Sequence, residues 1–426
     1  MSTALYTMTV KRDYWTEVSK KFIRENIAIP ATRGNIYDCN GNLMAGSIPE
    51  YRLYMDFVVI DKDTTARMKA QAWRDSVFNA TLDTICEGLA NIFPNKARGH
   101  KANKEWFRKR LLEGKKRKSH AWRIYPRNAT YIQYKECKEL PLFKETSYKG
   151  GFYVETIMQR KHPYGSLASR TLGSLRTDSN AAKNGLELSY DSILRGKDGV
   201  SHSMKIRNKR VRIVDVEAEN GHDLVSTIDV DIQDMAEKAL VAKLKEPSVN
   251  GELGMAIVME VATGDVKAIV NMHRGKDGNY YEMKNSAVSD LMEPGSTFKT
   301  ISLMAALDDG KISMGDSIEV DSLGWWYYGA KHTDAHPRNT KYSIRQSLAV
   351  SSNIALAKIV TEGYGGSAKK FVKKLKNMGL CDSVDYTIPG AQQALIVVPN
   401  DTVTISKMAY GYSVELSPLQ ILIFYN

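Results

Sequence analysis

The chain has few cysteines and no long apolar run. Its four cysteines, Cys39, Cys86, Cys137 and Cys381, are too few for a disulfide scaffold, and no two have the spacing of metal ligands. The longest apolar stretches, such as residues 394–398, fall far short of the ~20 residues that cross a bilayer. The first residues lack the basic start and the apolar core of a secretory signal. These absences exclude a disulfide-rich miniprotein and a membrane-spanning segment within the sequence as given.

Several familiar site signatures are also missing. The sequence contains no G-x-x-x-x-G-K-[ST] phosphate loop, no G-x-G-x-x-G fingerprint after a strand, no H-E-x-x-H and no G-x-S-x-G. His332 and His336 are four residues apart, but Pro337 follows them and no third ligand is nearby. We therefore predict a surface loop there, and not a metal site.

Charge is the most uneven feature of the composition. The 426 residues include 43% hydrophobic and 25% charged residues, which is typical of a globular chain of two or three domains. Residues 101–150 hold 15 lysines and arginines against 5 acidic residues, which is +10 of the net +12. Such a segment suggests an anionic partner, such as nucleic acid, lipid head groups or an acidic polymer, but no nucleic-acid motif accompanies it. A solvated basic face is the plainer interpretation, and charge alone leaves both open.

The hydrophobic pattern predicts two regions. In the first, residues 1–215, Asn40-Gly41 predicts a tight hairpin turn, residues 64–92 a helix, and residues 203–215 a strand pair. The second, residues 221–426, opens with a short strand, after which Asp229 is suited to cap a helix that ends near residue 245. Helices inserted among antiparallel strands predict an α+β domain. The remaining predicted elements are a hairpin of residues 254–261 and 266–272 and helices at 294–307, 354–361 and 368–378.

One short segment has the residues of a nucleophilic site. Ser296 and Lys299 are three residues apart in a predicted helix, so both side chains lie on one face. A serine hydroxyl needs a base beside it, and a lysine that is buried can lose its charge and serve as that base. The same spacing occurs by chance between Ser367 and Lys370, on a cationic helix that we predict to be a surface element.

A second segment offers a hydroxyl and an amide. Ser351 and Asn353 lie just before a predicted helix, where they could move a proton and hold a substrate. Residues of these types also cap helices, so the spacing alone leaves both a catalytic role and a capping role open.

The two segments belong to a wider resemblance. S-x-x-K followed by S-x-N is part of the signature of penicillin-binding proteins and class A β-lactamases. The sequence E-P-G-S-T-F-K at 293–299 resembles the nucleophile segment of class B penicillin-binding proteins, and Arg33 to Ala45 resembles a box of their N-terminal pedestal domain. Further similar segments, in the family's order, are residues 164–173, 184–191, 224–233, 259–270 and 411–425.

The resemblance runs from about Arg12 to the last residue and implies a fold and a reaction. It implies an elongated pedestal at 1–215 followed by a transpeptidase domain at 221–426. Ser296 would form an acyl-enzyme with the stem peptide of peptidoglycan, which ends in D-Ala-D-Ala, and β-lactams would acylate the same serine. Lys299 would take the serine proton, Ser351 would relay a proton to the leaving amine, Asn353 would bind the substrate amide, and no metal or cofactor is implied.

The resemblance also implies a cellular context. Residues 11–15 and 410–412 look most like division-specific septal transpeptidases of Bacteroides-type bacteria, while elongation-specific relatives stay open. Partners would be a glycosyltransferase and other divisome proteins, with no nucleic acid. Family members carry a single inner-membrane anchor before this region, with the domains in the periplasm, and a K-T-G motif beyond Pro418-Leu419-Gln420. We therefore expect residues 1–426 to be a fragment truncated at both ends and impaired in transpeptidation.

Two alternatives have different activities. A degenerate relative would serve as a divisome scaffold without catalysis, but Ser296, Lys299, Ser351 and Asn353 are all intact. A D,D-carboxypeptidase or a β-lactam sensor would use the same acylation step, and the sequence does not separate it from a transpeptidase.

Overall fold

The computed structural model describes residues 12, 14, 23–60, 63–94, 96–97, 100–176, 181–206, 209–382, 384, 386–399 and 401–426. Of the predicted segment at 11–15, residues 11, 13 and 15 lie outside this set. The chain forms two compact units, which we call the inserted unit (residues 46–161) and the main unit (residues 1–45 and 162–426). The predicted domain boundary between residues 215 and 221 stays a prediction.

The elements follow in chain order. The strands are β1 (Ile23–Ile29), β2 (Ile36–Tyr37), β3 (Leu43–Met55), β4 (Lys96–Ala97), β5 (His100–Lys101), β6 (Trp122–Arg123), β7 (Phe152–Lys161), β8 (Gly199–Ile206), β9 (Lys209–Val216), β10 (Leu224–Val225), β11 (Leu253–Met259), β12 (Val266–Arg274), β13 (Tyr280–Tyr281), β14 (Ser317–Val320), β15 (Trp325–Tyr327), β16 (Ala330–His332) and β17 (Thr340–Ser343). The helices are α1 (Thr64–Ile92), α2 (Lys104–Lys116), α3 (Tyr131–Lys138), α4 (Ser147–Gly150), α5 (Ser169–Leu172), α6 (Gly185–Ser189), α7 (Asp191–Leu194), α8 (Val230–Lys245), α9 (Ser286–Ser289), α10 (Lys299–Asp308), α11 (Ile344–Ala349), α12 (Asn353–Gly363), α13 (Ala368–Asn377), α14 (Thr404–Met408) and α15 (Pro418–Tyr425), with a 3₁₀ turn at Gly295–Phe298.

The inserted unit packs helices on an antiparallel strand pair. Residues 46–55 of β3 pair with β7, and α1 begins at Asp63, whose carboxylate accepts hydrogen bonds from two backbone N–H groups. The predicted helix at 64–92 is therefore confirmed. Its core-facing side chains include Phe78, Leu82, Ile85 and Leu89, whereas Met68 is 66% exposed because it lies on the opposite face.

The basic segment lies within the inserted unit, and acidic residues of α1 pair with several of its cations. Lys115 Nζ lies 3.0 Å from Asp75 Oδ1, Lys104 pairs with Glu87, and Arg108 pairs with Asp83. These pairs are at least partly exposed, so each adds little to stability. They neutralise part of the charge locally, and an anionic partner for residues 101–150 stays a prediction.

The hairpin predicted around Asn40-Gly41 is present in the main unit. The tight two-residue turn is not, because the N–H of Asp38 donates to the carbonyl oxygen of Asn42 across a longer turn and Asn40 lacks the positive φ that the prediction requires. Ile36 pairs with Ala45 and Tyr37 with Leu43, and Gly41 adopts a φ of +84° that its lack of a Cβ permits. The predicted strand pair at 203–215 is also present as β8 and β9, which form an antiparallel sheet with β1.

A buried cluster of charged side chains joins two segments that the sequence analysis singled out, residues 33–45 and residues 184–191. Arg33 Nε lies 2.6 Å from Glu187 Oε2, and Arg33 Nη1 lies 2.6 Å from Asp191 Oδ1. The Glu187 side chain is fully buried and that of Arg33 is 9% exposed. The cluster fixes the segment before β2 against α6 and α7.

Replacing Arg33 by methionine is expected to lower the free energy of unfolding by about 3 kcal/mol, because the buried Glu187 carboxylate loses the cation that compensates it. Chemical denaturation followed by circular dichroism measures the change. The matched control is Glu219→Gln, which breaks the exposed pair with Lys197 and should leave unfolding unchanged. Equal effects of the two variants would contradict the assignment.

The rest of the main unit is α+β, as predicted. Helix α8 begins at Asp229 and packs on the sheet β11-β12-β13, where the buried Gln233 side chain bonds the backbone of Ile269 at 2.8 and 3.0 Å. The predicted hairpin at 254–272 is confirmed as β11 and β12. Helices α10, α12, α13 and α14 share a core that contains Phe298, Val360 and Phe371. In the described part of the chain, no helix is both long enough and apolar enough to span a membrane.

Candidate active site

Ser296 lies in a tight turn at the beginning of a helix. It belongs to the 3₁₀ turn Gly295–Phe298, and Lys299 is the first residue of α10. Residues three apart in a 3₁₀ turn lie on one side, so the serine and the lysine share a face. Ser296 and Thr297 are exposed, whereas Phe298 is completely buried in the core and anchors the turn. The turn therefore presents a hydroxyl to solvent on a rigid base.

Lys299 is a buried amine with two oxygen partners. Its side chain is 1% exposed, and Nζ donates to the carbonyl oxygen of Ser351 at 2.6 Å and to Ser351 Oγ at 2.9 Å. Burial lowers the pKa of Lys299 to about 8, although Asp334 opposes the shift. Near neutral pH the amine is thus close to the point at which it loses its proton, as a general base requires.

The backbone of Ser351 is what directs both oxygens at the lysine. Ser351 has a φ of +55°, in the left-handed region that non-glycine residues rarely adopt. Strained residues of this kind concentrate at functional sites, where surrounding contacts hold them in place.

The contacts that hold the segment around Ser351 come from Thr333 and Asp334, the two residues that follow β16. Asp334 accepts hydrogen bonds from Ser352 Oγ at 2.7 Å and from the N–H of Ile354 at 3.0 Å. The Asn353 side chain donates to the carbonyl oxygen of Thr333 at 2.9 Å. The N-cap of α12 is Ser352, whose Oγ accepts from the N–H of Ala355. Neither Ser351 nor Asn353 caps the helix, so the capping interpretation fails for both.

The segment before α15 supports the serine turn from the other side. The N–H of Gly295 donates to the carbonyl oxygen of Gly411 at 3.1 Å, and the N–H of Ser413 donates to Glu293 Oε1 at 2.7 Å. Gly411 has a φ of +89°, and a Cβ there would lie 2.1 Å from the carbonyl oxygen of Gly295. Glycine at 411 is therefore what allows the two segments to touch.

Replacing Gly411 by alanine is expected to slow acylation of Ser296 at least tenfold, because the new methyl group displaces Gly295 and with it the serine turn. Single-turnover labelling with a fluorescent penicillin measures the rate. The control is Gly310→Ala, which shares a positive φ but has no atom within 4 Å of the added Cβ. A Gly411→Ala rate equal to that of Gly310→Ala would show that the contact does not position the turn.

The histidine pair is placed differently from the prediction. His336 is exposed, but His332 is 2% exposed and lies in β16, not in a surface loop. Its ring nitrogens lie 2.8 Å from the hydroxyl of Tyr410 and 3.0 Å from that of Ser406. The surface-loop prediction is thus wrong for His332, which anchors β16 instead. No cluster of metal-ligating side chains occurs among the residues that the structure describes.

Both regions of the sequence match domains of known proteins. Residues 28–226 match the sequence model of the penicillin-binding protein dimerisation domain, and residues 254–426 match that of the penicillin-binding protein transpeptidase domain. The chain belongs to the class B penicillin-binding proteins. The predicted fold, a pedestal-type domain followed by a transpeptidase domain, is confirmed for this penicillin-binding protein.

Several relatives share most of this penicillin-binding protein. The probable peptidoglycan D,D-transpeptidase PenA of Neisseria gonorrhoeae is 24% identical over 98% of the chain, which spans 66% of that relative. The peptidoglycan D,D-transpeptidase FtsI of Escherichia coli K12 is 25% identical over 64% of the chain and 46% of its own length. The crystal structure of penicillin-binding protein 2X from Streptococcus thermophilus has the same fold, with a TM-score of 0.70, 20% identity, and coverage of 94% of this chain and 58% of that one.

The structure brings together the lysine and the S-x-N segment of this penicillin-binding protein, although 52 residues separate them. Sequence reasoning missed Asp334 and Thr333, which hold Ser352 and Asn353. No local sequence pattern identifies these two residues, because their role depends on β16 lying beside α12.

Proposed function

We propose that this protein is a peptidoglycan D,D-transpeptidase that works through a serine acyl-enzyme. The observation that carries the proposal is the buried amine of Lys299, held 2.9 Å from Ser351 Oγ and one turn from the exposed Ser296. A desolvated lysine beside an exposed serine is the arrangement that nucleophilic catalysis needs. The names of the PenA and FtsI relatives agree with this reaction.

The proposed steps use each residue once. The amine of Lys299 takes the proton of Ser296, whose Oγ attacks the carbonyl carbon of the penultimate D-alanine. The peptide bond to the terminal D-alanine breaks, and its nitrogen leaves with a proton that Ser351 relays. Asn353 binds the substrate amide, and the N–H of Ser296 supplies one donor to the developing oxyanion. An amine of a second stem peptide then attacks the ester and releases the serine.

The experiment follows both the donor and the acceptor. The protein produced from its native gene is incubated with a stem pentapeptide ending in D-Ala-D-Ala and a fluorescent D-amino acid as acceptor. Release of D-alanine with a matching amount of fluorescent adduct is the expected result. Release without adduct would indicate a carboxypeptidase or a β-lactam sensor, and neither product would favour the scaffold.

The cellular role is part of the same proposal. We place the protein at the division septum of a Bacteroides-type bacterium, anchored in the inner membrane, with both domains in the periplasm, beside a glycosyltransferase and other divisome proteins. Support comes from the resemblance of residues 410–412 and of the segment near Arg12 to septal members. A fluorescent fusion confined to the division site tests it, and an even lateral distribution would favour elongation instead.

A further inference from the structure

A short hairpin near the candidate site exposes an unusual number of apolar side chains. Strands β15 and β16 pair in register, with Trp326 opposite Lys331. Within six residues, Leu323 is 76% exposed, Trp326 63% and Tyr328 72%. Single exposed apolar residues are ordinary, but a contiguous group of large ones marks a binding surface.

The geometry of the hairpin turns Trp326 and Tyr328 outward. Trp325 and Tyr327 occupy the inner face, where their rings stack at 5.1 Å and Trp325 also contacts the buried ring of His332. Alternation along a strand then turns Trp326 to the opposite face. The turn residues Tyr328 and Gly329 have φ values of +48° and +86°, as a two-residue turn that matches the twist of its strands requires.

The outer face also carries a cation. Lys331 Nζ lies 5.9 Å from the centre of the Trp326 ring, so charge and aromatic face are side by side. We call Leu323, Trp326, Tyr328 and Lys331 the hairpin surface. Three apolar side chains are far too small an area for a stable protein interface, which needs 20–30 residues a side.

The hairpin surface connects directly to the candidate site. Strand β16 ends at His332, and the next two residues are Thr333 and Asp334, which hold Asn353 and Ser352. Thr333 and Asp334 are two and three residues beyond Lys331, so their Cα atoms lie within about 11 Å of the Lys331 Cα atom. Strand β16 is also joined to the serine turn, because the His332 ring lies 2.8 Å from the Tyr410 hydroxyl and the next residue, Gly411, accepts a hydrogen bond from Gly295, the neighbour of Ser296.

We propose that the hairpin surface binds the amino-sugar strand of peptidoglycan while the attached stem peptide occupies the site at Ser296, an inference that rests on the proposed function. The C–H faces of pyranose rings stack on flat aromatic side chains, which Trp326 and Tyr328 present to solvent. Lys331 complements the carboxylates of neighbouring stem peptides. The surface thereby selects a peptide that is attached to polymer over a free peptide.

Co-sedimentation with insoluble peptidoglycan tests the proposal. The protein produced from its native gene is mixed with purified cell-wall peptidoglycan. Its affinity for the soluble glycan strands that an amidase frees of peptides is measured separately by isothermal titration calorimetry. Trp326→Ala is expected to weaken binding to both by about tenfold. Lys331→Gln is expected to weaken binding to both by a smaller factor, because the amidase leaves a lactyl carboxylate on the sugar strand. Trp326→Phe keeps an aromatic face and should retain most of the binding. The control is Tyr148→Ala, an equally exposed tyrosine in the inserted unit.

The results that would overturn glycan binding by the hairpin surface are defined in advance. Binding of Trp326→Ala equal to that of the wild-type protein would overturn the proposal, as would failure of the wild-type protein to bind the peptide-free strands. Equal losses for Trp326→Phe and Trp326→Ala, with unchanged thermal unfolding, would overturn the stacking role. Labelling of the wild-type protein by penicillin reports the proposed function separately: binding without labelling contradicts that function and leaves glycan binding standing.

Discussion

A protein with alanine in place of Ser296 is expected to show no covalent labelling by a fluorescent penicillin, while its thermal unfolding stays unchanged. The hydroxyl is the atom that would carry the acyl group, so its removal leaves no point of attachment. The side chain is exposed, so the fold loses no buried contact. Gel fluorescence and intact-protein mass measure the acyl adduct, and differential scanning calorimetry measures unfolding.

The sequence provides a matched control in its second S-x-x-K pair. Ser367 precedes α13 and makes no capping hydrogen bond through its side chain, so Ser367→Ala should label at the wild-type rate. Residual adduct on Ser296→Ala, or its loss on Ser367→Ala, would place the nucleophile elsewhere.

Replacing Lys299 by methionine is expected to slow acylation by about 10²–10⁴-fold, the usual contribution of a general base. The methionine side chain fills the same buried space but cannot accept a proton. Stopped-flow measurement of penicillin acylation gives the rate, and Lys370→Met, in the second S-x-x-K pair, is the control. A Lys299→Met rate within a factor of three of the control would rule out the lysine as the base.

The wild-type rate should also depend on pH in a defined direction. Burial lowers the pKa of Lys299 to about 8, so about a tenth of the amine is neutral at pH 7. Only the neutral form can take the serine proton, so the rate should rise about tenfold per pH unit below pH 8 and level off above it. A rate that falls as pH rises from 6 to 8 would contradict the assignment.

Local sequence signals predicted many of the elements. The helix at Thr64–Ile92 follows from apolar spacing, and the hairpin at Gly41 follows from a dipeptide that tolerates positive φ. Motif spacing also identified Ser296 and Lys299 as neighbours, because three residues of helix or 3₁₀ turn place both on one face.

What the sequence by itself determined is a part of the secondary-structure elements, the family resemblance and the four candidate site residues. Only the tertiary structure decided that Lys299 is buried against Ser351, that Ser352 and not its neighbours caps α12, and that His332 is an internal anchor. The physical reason is the separation along the chain over which each kind of interaction acts. Helix and turn signals act over a few residues, whereas burial and the contacts of Asp334 and Gly411 depend on segments brought together from 20 to more than 100 residues away.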